Sequence, residues 1–313
     1  MTISASSAPV NVASAILYGQ PAPDLITPPP GAVQVSPLVP GSTDLVTLAD
    51  QSVDHAVVLA PPGTQERDYV LAQVLRVLKP GGDLWVLAPK SRGGARLRKA
   101  LEQFGCQVTE DARRHHRFCH LRRPESLRDL APVLAAGAPR RLSDLGLWTQ
   151  PGVFSWDRLD PGSALLLEEM PTFTGTGADL GGGIGILASR VLASPAVQSL
   201  WLVELDRRAL DCARRNLDDP RVQFLWQDVR QPDLALKDLD FVAMNPPFHD
   251  GGTEDRSLGA AFIRAAAAML RRGGVCWITA NRHLPYEAPL SDAFAQVTLK
   301  ADRGGYKVYE ARK

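Results

Sequence analysis

The strongest chemical signal in the sequence is a turn made of an amide, two prolines and an aromatic ring, Asn245-Pro246-Pro247-Phe248. It follows the apolar run 241–244, which has the character of a buried strand. Prolines at a strand end cannot donate ladder hydrogen bonds, so they turn the chain out of the sheet. Because ligands bind beyond the carboxyl ends of strands in open α/β sheets, we expect Asn245 and Phe248 to project into such a crevice.

These residue types suit chemistry on the exocyclic amine of a nucleobase. The nitrogen of such an amine shares its lone pair with the ring and is a poor nucleophile. The side-chain oxygen of Asn245 and the carbonyl of Pro246 could each accept one N–H bond, which would orient the nitrogen and favour charge developing on it. Phe248 could stack on the base, worth about 1–3 kcal/mol. The alternative is a proline-rich loop with a buried phenylalanine.

A glycine-rich turn provides a second signal, because Asp179-Leu-Gly181-Gly-Gly183-Ile-Gly185 lies between a predicted strand and a predicted helix. Glycines there permit positive φ and let a ligand approach the backbone. Glu204 ends the next predicted strand, where an acid can hold both hydroxyls of a ribose. The turn therefore predicts a nucleotide-like cofactor, with a purely structural glycine turn as the alternative.

The glycine turn alone does not identify that cofactor. The run 183–188 also fits a dinucleotide fingerprint, which leaves a nicotinamide dehydrogenase open. Asp179, two residues before the first glycine, favours S-adenosylmethionine. Asp228 favours it too, since it follows the run 222–226 at a place where an acid could bond an adenine amino group. The turn at Asn245 decides for S-adenosylmethionine.

The elements that must position these residues alternate between strands and helices, which indicates an α/β fold. In the second half, strands are predicted at 176–180, 199–205, 222–226, 241–244, 275–280 and 306–311, and helices at 186–192, 207–217 and 260–270. In the first half, strands are predicted at 53–60 and 83–88, helices at 68–78 and 96–104, and a turn at 79–82.

The two halves resemble weak copies of one another. The segment 55–63 matches 240–248, and each is followed by a helix, a Gly-Gly turn and a strand. Aligned by sequence, Ala60 stands where Asn245 stands. The first half also lacks a glycine-rich turn. This pattern predicts a duplicated domain whose first copy has lost its chemistry.

Composition limits the class of protein. The chain has 313 residues, 45% hydrophobic and 22% charged, with a formal net charge of +1, which excludes wholesale disorder. Its four cysteines include no CxxC pair, which favours a reducing compartment and argues against a zinc ribbon. No apolar run is long enough for a membrane helix and no secretory leader is evident, so a cytoplasmic protein is expected.

Charge is distributed unevenly along the chain. Residues 90–141 carry 13 basic and 5 acidic side chains, while 142–313 carry 19 and 22. A basic block on a balanced protein is typical of polyanion binding, and a solvated helix face is the alternative. Within this block, the close spacing of His115, His116, Cys119 and His120 disfavours a zinc site, and no metal is expected.

Residues 1–45, rich in Pro, Ser and Ala, are expected to form a loosely structured lead-in. Asp160 and Ser163 are expected to border the methionine end of the cofactor, with helix capping by Ser163 as the alternative. His249 directly follows the turn at 245–248, where it could contact a nucleic-acid substrate or shuttle a proton. Tyr286 is expected to be a core residue.

The sequence resembles class I methyltransferases that modify guanine N2 in ribosomal RNA, namely the small-subunit methyltransferase C and large-subunit methyltransferase G family. The matching segments are 151–155, 159–163, 179–185, 245–249, 280–286 and 306–309. The resemblance implies an α/β fold of two tandem Rossmann-like domains, of which only the second is catalytic. It predicts a degenerate domain at 1–125 that supports folding and RNA binding, a linker at 126–150 and a catalytic domain at 151–313.

The resemblance implies methyl transfer from S-adenosylmethionine to the N2 amine of a guanine in ribosomal RNA, most simply 16S rRNA. In that reading, Asn245, Pro246 and Phe248 are catalytic. The cofactor-binding set is Asp179, Gly181, Gly183, Gly185, Glu204, Asp228 and Asn245. Ribosomal RNA or a ribosomal subunit is the expected partner, and the chain is expected to act as a monomer.

Rival functions remain at this point. The same turn serves adenine-N6 methyltransferases on nucleic acid and glutamine-N5 methyltransferases on proteins, both of which the two-domain layout disfavours by resemblance. A non-catalytic RNA-binding assembly factor is a rival from another class, and the intact turn at Asn245 argues against it.

Overall fold

The computed structural model describes residues 14–231, 234–247, 249–250, 253–254 and 256–313. The chain divides into two compact units, unit 1 (Met1–Ala138) and unit 2 (Pro139–Lys313). The division lies inside the stretch predicted as a linker, and the functional assignment of the two parts stays a prediction.

Unit 1 alternates strands and helices before ending in a hairpin and a short helix. Its strands are β1 (Ala15–Tyr18), β2 (Val33–Gln34), β3 (Val53–Leu59), β4 (Leu78–Pro89), β5 (Thr109–Arg113) and β6 (His116–Arg122). Its α-helices are α1 (Thr64–Val77), α2 (Leu97–Glu102) and α3 (Ala131–Gly137). The strands form one sheet in the order β2-β1-β3-β4-β6-β5, in which β6 is antiparallel to both of its neighbours.

The main core of unit 1 lies on one face of this sheet. Helix α1 carries an apolar stripe that includes Val70, Leu71 and Val74, and this stripe packs with strand residues such as Val58 and Val86. All five are at most 3% exposed. The spacing of one and four residues puts the helix side chains on a single face, which is why this segment buries well as a helix.

The prediction of a loosely structured lead-in at 1–45 is wrong for the residues that the structure describes. Strand β1 pairs in parallel with both β2 and β3, and Ala15 and Ile16 are 1% exposed. This strand is hard to recognise in the sequence, because it has only four residues and its flanking loops contain proline and serine. A buried strand that is paired on both sides also shows no alternation of apolar and polar residues. Residues 1–13 lie outside the described part of the chain.

Unit 2 is the larger α/β unit. Its strands are β7 (Arg140–Arg141), β8 (Trp148–Thr149), β9 (Gly175–Leu180), β10 (Val197–Glu204), β11 (Val222–Trp226), β12 (Leu239–Met244), β13 (His249–Asp250), β14 (Thr253–Glu254), β15 (Leu270–Asn281), β16 (Gln296–Arg303) and β17 (Tyr306–Arg312). Its helices are α4 (Pro161–Glu169), α5 (Ile186–Leu192), α6 (Arg207–Asn216), α7 (Arg256–Met269) and α8 (Glu287–Ala293).

The main sheet of unit 2 has the order β11-β10-β9-β12-β15-β17-β16. Its first five strands are parallel, and β17 runs antiparallel to its neighbours β15 and β16. Helices α7 and α8 contribute to the core on one face, and α4, α5 and α6 contribute to the core on the other. Parallel strands covered on both faces are the arrangement of a doubly wound fold.

The two main sheets share an internal order, because β2-β1-β3-β4-β6-β5 matches β10-β9-β12-β15-β17-β16. An ion pair recurs as well: Lys79 lies 2.8 Å from Asp54, and Arg271 lies 2.7 Å from Asp240. The sheets therefore support the predicted duplication.

Strand register refines the alignment of the two halves. Val58 pairs with the last residue of β1, just as Met244 pairs with the last residue of β9. Register therefore places Leu59, rather than Ala60, opposite Asn245. The sequence alignment sets His55 against Asp240, whereas register sets Asp54 against Asp240, the two carboxylates of the recurring ion pair. Either residue is apolar, so the first copy lacks the amide in both alignments.

The structure also describes the cysteines, the length of the helices and the grouping of metal-binding side chains. All four cysteines are free and buried, and burial raises the pKa of each thiol. No described helix is long and apolar enough to cross a membrane. The described residues also contain no group of three or more His, Cys, Asp or Glu side chains placed to hold a metal.

Candidate functional site

The predicted site residues converge at the carboxyl ends of three adjacent strands. Leu180 ends β9, and its cross-strand partners immediately precede Glu204 on β10 and Asn245 after β12. The glycine turn begins at Gly181, so the turn, the acid and the amide all lie along one edge of the sheet. This edge is where a doubly wound sheet binds its ligand.

The glycine turn combines two kinds of glycine. Gly181, Gly183 and Gly185 all have positive φ, at 69°, 56° and 90°. A Cβ on Gly183 would meet no atom within 4 Å, whereas one on Gly185 would lie 2.8 Å from Leu217. Gly185 is therefore needed for packing, and Gly183 leaves open space against the backbone, as a bound ligand would require.

Glu204 is held in place by two backbone N–H groups. One carboxylate oxygen accepts from the Gly183 amide and the other from the Asp206 amide, each at 2.8 Å. Burial raises the pKa of Glu204 to about 7, although these hydrogen bonds pull it down. The acid is therefore fixed beside the open glycine and changes its charge near neutral pH.

Asp179 lies beneath the glycine turn and is fully buried. Its Oδ2 accepts a 3.0 Å hydrogen bond from the Ala188 amide and so ties helix α5 to strand β9. Its Oδ1 has no hydrogen-bond partner among the residues that the structure describes. Burial raises the pKa of Asp179 to about 7. One buried acceptor is therefore left for a further polar partner.

Asp228 stands beside Glu204, because the amide of Gln227 donates to the Glu204 carbonyl at 3.1 Å. Its carboxylate is already bound to Arg230, with Oδ2 2.6 Å from Nη2. Burial alone would raise the pKa of Asp228, but the hydrogen bonds from Arg230 lower it below its usual value. A ligand amine at this place would therefore meet an ionised carboxylate that it shares with Arg230.

The amide of Asn245 is held by two residues at the N-terminus of helix α4, the N-cap Asp160 and Ser163. Its Nδ2 donates to Asp160 Oδ2 at 2.9 Å and to Ser163 Oγ at 2.8 Å. Asp160 is the N-cap of α4, and the same Oδ2 accepts from the Ser163 amide at 2.8 Å. Tyr306 packs against Gly162 in this first turn, where a Cβ would lie 2.7 Å from its ring.

This contact fixes which way the Asn245 amide faces. A carboxylate only accepts hydrogen bonds, so the NH₂ group must point to Asp160 and the carbonyl oxygen must point the other way. The two donors of the amide are used by Asp160 and Ser163. Oδ1 is left to accept a hydrogen bond from an amine, which is the role predicted for Asn245.

The sequence predicts a role for Asn245 but not the hydrogen bonds that its amide donates to Asp160 and Ser163. Asp160 and Ser163 stand more than 80 residues earlier in the chain. The only local signal is an Asp before Pro161, which is typical of a helix N-cap. The structure has Asp160 as the capping residue, so the expectation that Ser163 caps the helix is wrong, while a place for this pair beside the cofactor stays a prediction.

The structure describes the other predicted residues of the site to different extents. Pro246 is buried. Phe248 lies outside the described residues, and for His249 the structure gives only its backbone, in the ribbon of β13 and β14. Tyr286 is 2% exposed and packs in the core, as expected.

Taken together, these residues could hold a ribose-bearing cofactor beside an oxygen that can accept a hydrogen bond from an amine. Open space at Gly183, a fixed carboxylate at Glu204 and an unsatisfied oxygen on Asp179 fit such a group. Asn245 lies one strand away with its carbonyl oxygen free of Asp160. The geometry suits transfer of a group from the cofactor to a nitrogen.

Comparison with known proteins finds methyltransferase relatives. Residues 144–310 match the family model described as methyltransferase small domain. Ribosomal RNA small subunit methyltransferase C of Shewanella loihica is 30% identical over 272 residues, covering 84% of this chain and 78% of that protein. The protein of the same name from Yersinia pseudotuberculosis serotype IB is 32% identical over 265 residues, covering 82% and 74%.

A solved structure is also similar. The 16S rRNA N2 methyltransferase of T. thermophilus that acts on guanine 1207, in complex with AdoMet and guanosine, has a TM-score of 0.70 and 27% identity. The match covers 86% of this chain and 75% of that one.

Proposed function

Because this chain belongs to the ribosomal RNA small subunit methyltransferase C family, we propose that it transfers a methyl group from S-adenosylmethionine to the N2 amine of a guanine in 16S rRNA. The observation that carries the proposal is the amide of Asn245, whose NH₂ is held by Asp160 and Ser163 while Oδ1 is left to accept from an amine. The resemblance found in the sequence and the family found by comparison are the same.

S-adenosylmethionine supplies an electrophilic methyl group on a sulfonium. Gly183 gives the cofactor access to the backbone, with Gly181 and Gly185 shaping the turn. Glu204 accepts from the ribose hydroxyls, Asp228 accepts from the adenine amino group, and the free oxygen of Asp179 accepts a hydrogen bond from the cofactor or its water. Each of these assignments rests on the contacts described above.

Asn245 and Pro246 position the target. The two N–H bonds of the guanine amine are accepted by Asn245 Oδ1 and the Pro246 carbonyl, so that the nitrogen lone pair points at the methyl group. These acceptors also stabilise the positive charge that develops on nitrogen during transfer. Phe248 stacks on the base, which must leave its helix at a cost of a few kcal/mol.

The proposed setting follows from the substrate. Ribosomal RNA or an assembling small subunit is the partner, the enzyme acts in the cytoplasm, and one chain suffices as a monomer. The residues in the described part of the site supply acceptors and carboxylates for this reaction, with no metal assigned a role.

The test is methyl transfer from labelled S-adenosylmethionine to 16S rRNA, both naked and in isolated small subunits, followed by nucleoside analysis. The wild type, Asn245→Ala and Gln223→Ala are run together, since Gln223→Ala removes an exposed amide on the edge strand β11. We expect N2-methylguanosine from the wild type and Gln223→Ala, and a loss of about 100-fold or more in Asn245→Ala.

Label in N6-methyladenosine or in a glutamine side chain would contradict the guanine assignment. Cofactor binding without transfer to any substrate would favour the non-catalytic assembly factor. Absence of S-adenosylmethionine binding by the wild type would contradict the proposal altogether.

A further inference from the structure

One face of the unit 1 sheet carries a partly exposed aromatic pair, Trp85 and His120, beside a small buried apolar cluster. Helices α1 and α2 contribute to the main core on the other face. On the face in question, a small apolar cluster contains Val57, Leu87 and Phe118, and Trp85 beside them is 36% exposed. Because side chains alternate along a strand, Trp85 shares this face with Asp83 and Leu87.

Trp85 is one half of a stacked pair. It is the cross-strand partner of His120 on β6, and the two ring centroids lie 4.3 Å apart with an interplanar angle of 25°. A tryptophan that is stacked on one side and exposed at a sheet surface presents a flat apolar platform. Exposed aromatic rings on a sheet are a recurrent surface for stacking unpaired nucleobases.

A carboxylate lies next to this platform. Asp83 Oδ1 is 3.3 Å from His120 Nε2 and 3.6 Å from Arg122 Nε, and Asp83 Oδ2 is 3.7 Å from His55 Nδ1. A carboxylate has about four acceptor positions, so these neighbours fix its orientation without using its whole capacity. Its side chain is 29% exposed.

Trp85 and Asp83 line the same cavity, which has a volume of about 310 Å³. Arg113 lines it as well, with its guanidinium carbon 4.2 Å from the centroid of the Phe118 ring. The cavity therefore brings together a stacking surface, an acceptor of N–H bonds and a fixed cation. Its size is at the lower end for small-ligand pockets.

We propose that this cavity binds an unpaired guanine of the RNA substrate. The base stacks on Trp85, its adjacent N1–H and N2–H groups donate to Asp83, and Arg113 faces a neighbouring phosphate. Only a base edge with N–H donors satisfies a carboxylate, and adenine offers a single donor group there. The proposal rests on the proposed function for the identity of the substrate as RNA.

Charge supports RNA as the occupant. Arg113 and Arg122 belong to the segment 90–141, in which basic residues outnumber acidic ones by 13 to 5. Phosphates require such cations, while the carboxylate of Asp83 favours a base edge over a phosphate. An apolar partner would cover the remaining acceptor positions of Asp83 and the guanidinium of Arg113 without giving either a new polar partner.

Binding of the full chain to labelled 16S rRNA tests the proposal, with Trp85→Phe, Trp85→Leu and Leu38→Ala as variants. Phe keeps a stacking ring, Leu keeps apolar area only, and Leu38→Ala removes another exposed apolar side chain of unit 1. We expect roughly tenfold weaker binding for Trp85→Leu, and affinities within about twofold of wild type for the other two. Thermal unfolding and S-adenosylmethionine affinity check that each variant is folded.

Base identity is tested by competition with the single-stranded oligonucleotides UUGUU and UUAUU. Wild type should prefer UUGUU, and Asp83→Asn should reduce that preference because the amide replaces one acceptor by a donor. Equal binding by wild type and Trp85→Leu, or no preference for guanine in the wild type, overturns the proposal.

This outcome is separable from the proposed function. If the wild type transfers no methyl group but its RNA affinity depends on Trp85 as expected, the proposed function fails and the guanine site stands. If methyl transfer occurs and Trp85→Leu binds and methylates RNA as the wild type does, the guanine site fails alone.

Discussion

At the scale of single residues, the amide of Asn245 serves the proposed reaction in only one of its two orientations. Asp160 selects that orientation because a carboxylate cannot face the amide oxygen without repulsion. Ser163 supplies the second acceptor. Both residues contact Asn245, so we propose that they are positioning residues that act through it.

Removing the hydrogen bonds from Asn245 to Asp160 and Ser163 should slow catalysis while leaving cofactor binding intact. We expect Ser163→Ala and Asp160→Ser each to lower kcat by up to about tenfold, as loss of one hydrogen bond implies. The new serine at 160 still caps helix α4, so the fold is kept. The double variant should approach Asn245→Ala.

Steady-state kinetics with 16S rRNA and calorimetric S-adenosylmethionine affinities measure this effect. Ser199→Ala, which removes a serine hydroxyl of β10 that accepts from Gln223, is the matched control. A fall in cofactor affinity that parallels the fall in kcat would contradict a positioning role.

Glu204 predicts a pH dependence of cofactor affinity. Burial raises its pKa to about 7, and ribose hydroxyls donate to the ionised form. Affinity should therefore be low below pH 6, rise through pH 7 and level off above pH 8, and binding below pH 7 should release a proton. Calorimetry in two buffers of different ionisation enthalpy measures both quantities.

Two variants separate Glu204 from its neighbour. Glu204→Gln should bind weakly with little pH dependence, because it lacks the carboxylate that titrates. Asp179→Asn retains an amide oxygen as acceptor and should keep the rise through pH 7, because Glu204 still ionises. If the rise disappears in Asp179→Asn instead, Asp179 is the group that controls binding.

Sequence alone identifies residues that can be recognised by their type and by their spacing from a predicted strand. The glycines, Glu204 and Asn245 are recognisable because each follows a predicted strand with a typical spacing. The grip of Asp160 on Asn245 is not recognisable, since it joins residues brought together only by the fold. The pairing of Asp228 with Arg230 is also hidden, because the sequence shows two charges but not their geometry.

At the scale of elements, different glycines of the turn between β9 and α5 should matter for stability and for cofactor binding. Gly183→Ala should cost about 1–2 kcal/mol of stability from its positive φ but should abolish cofactor binding, because the new methyl group occupies open space at the site. Gly185→Ala should destabilise more, since its Cβ would also meet Leu217 at 2.8 Å.

Chemical denaturation and cofactor titration of both variants test this distinction. Gly146→Ala, at a half-buried positive-φ turn of unit 2 where a Cβ would meet only the end of the Arg141 side chain, measures the conformational cost without either effect. Normal cofactor binding by Gly183→Ala would show that the ligand does not approach this backbone.

The elements best predicted from sequence are those with strong local patterns. Helix 186–192 and strand 222–226 are predicted with the bounds that the structure has. The hairpin of β5 and β6 and the strand β16 are missed, because their polar and charged residues give no apolar run. The turn predicted at 79–82 forms the irregular start of β4.

At the scale of the whole molecule, unit 1 and unit 2 contain sheets of the same order, but only unit 2 carries the glycine turn and the amide. We therefore expect saturating S-adenosylmethionine to stabilise unit 2 selectively. At a free cofactor concentration of 100 times Kd, binding adds about 2.7 kcal/mol to the free energy of unfolding of the part of the chain that unfolds together with the site.

Hydrogen exchange followed by mass spectrometry measures this selectivity. Amides of β9, β10 and β12 should gain protection, while those of β1, β3 and β4 should exchange as before. Gly183→Ala provides the control without bound cofactor. Equal gains in both units would mean that they unfold as one cooperative body.

The buried cysteines have a practical consequence for labelling chemistry. Thiol reagents attack the thiolate, and burial keeps Cys106, Cys119, Cys212 and Cys276 protonated and out of reach in the folded chain. A maleimide dye should therefore leave the native protein unmodified. Cysteines introduced by Leu38→Cys in unit 1 and Leu299→Cys in unit 2, both at exposed positions, would be the reactive pair, and energy transfer between their dyes would follow the two units through a catalytic cycle without removal of any native thiol.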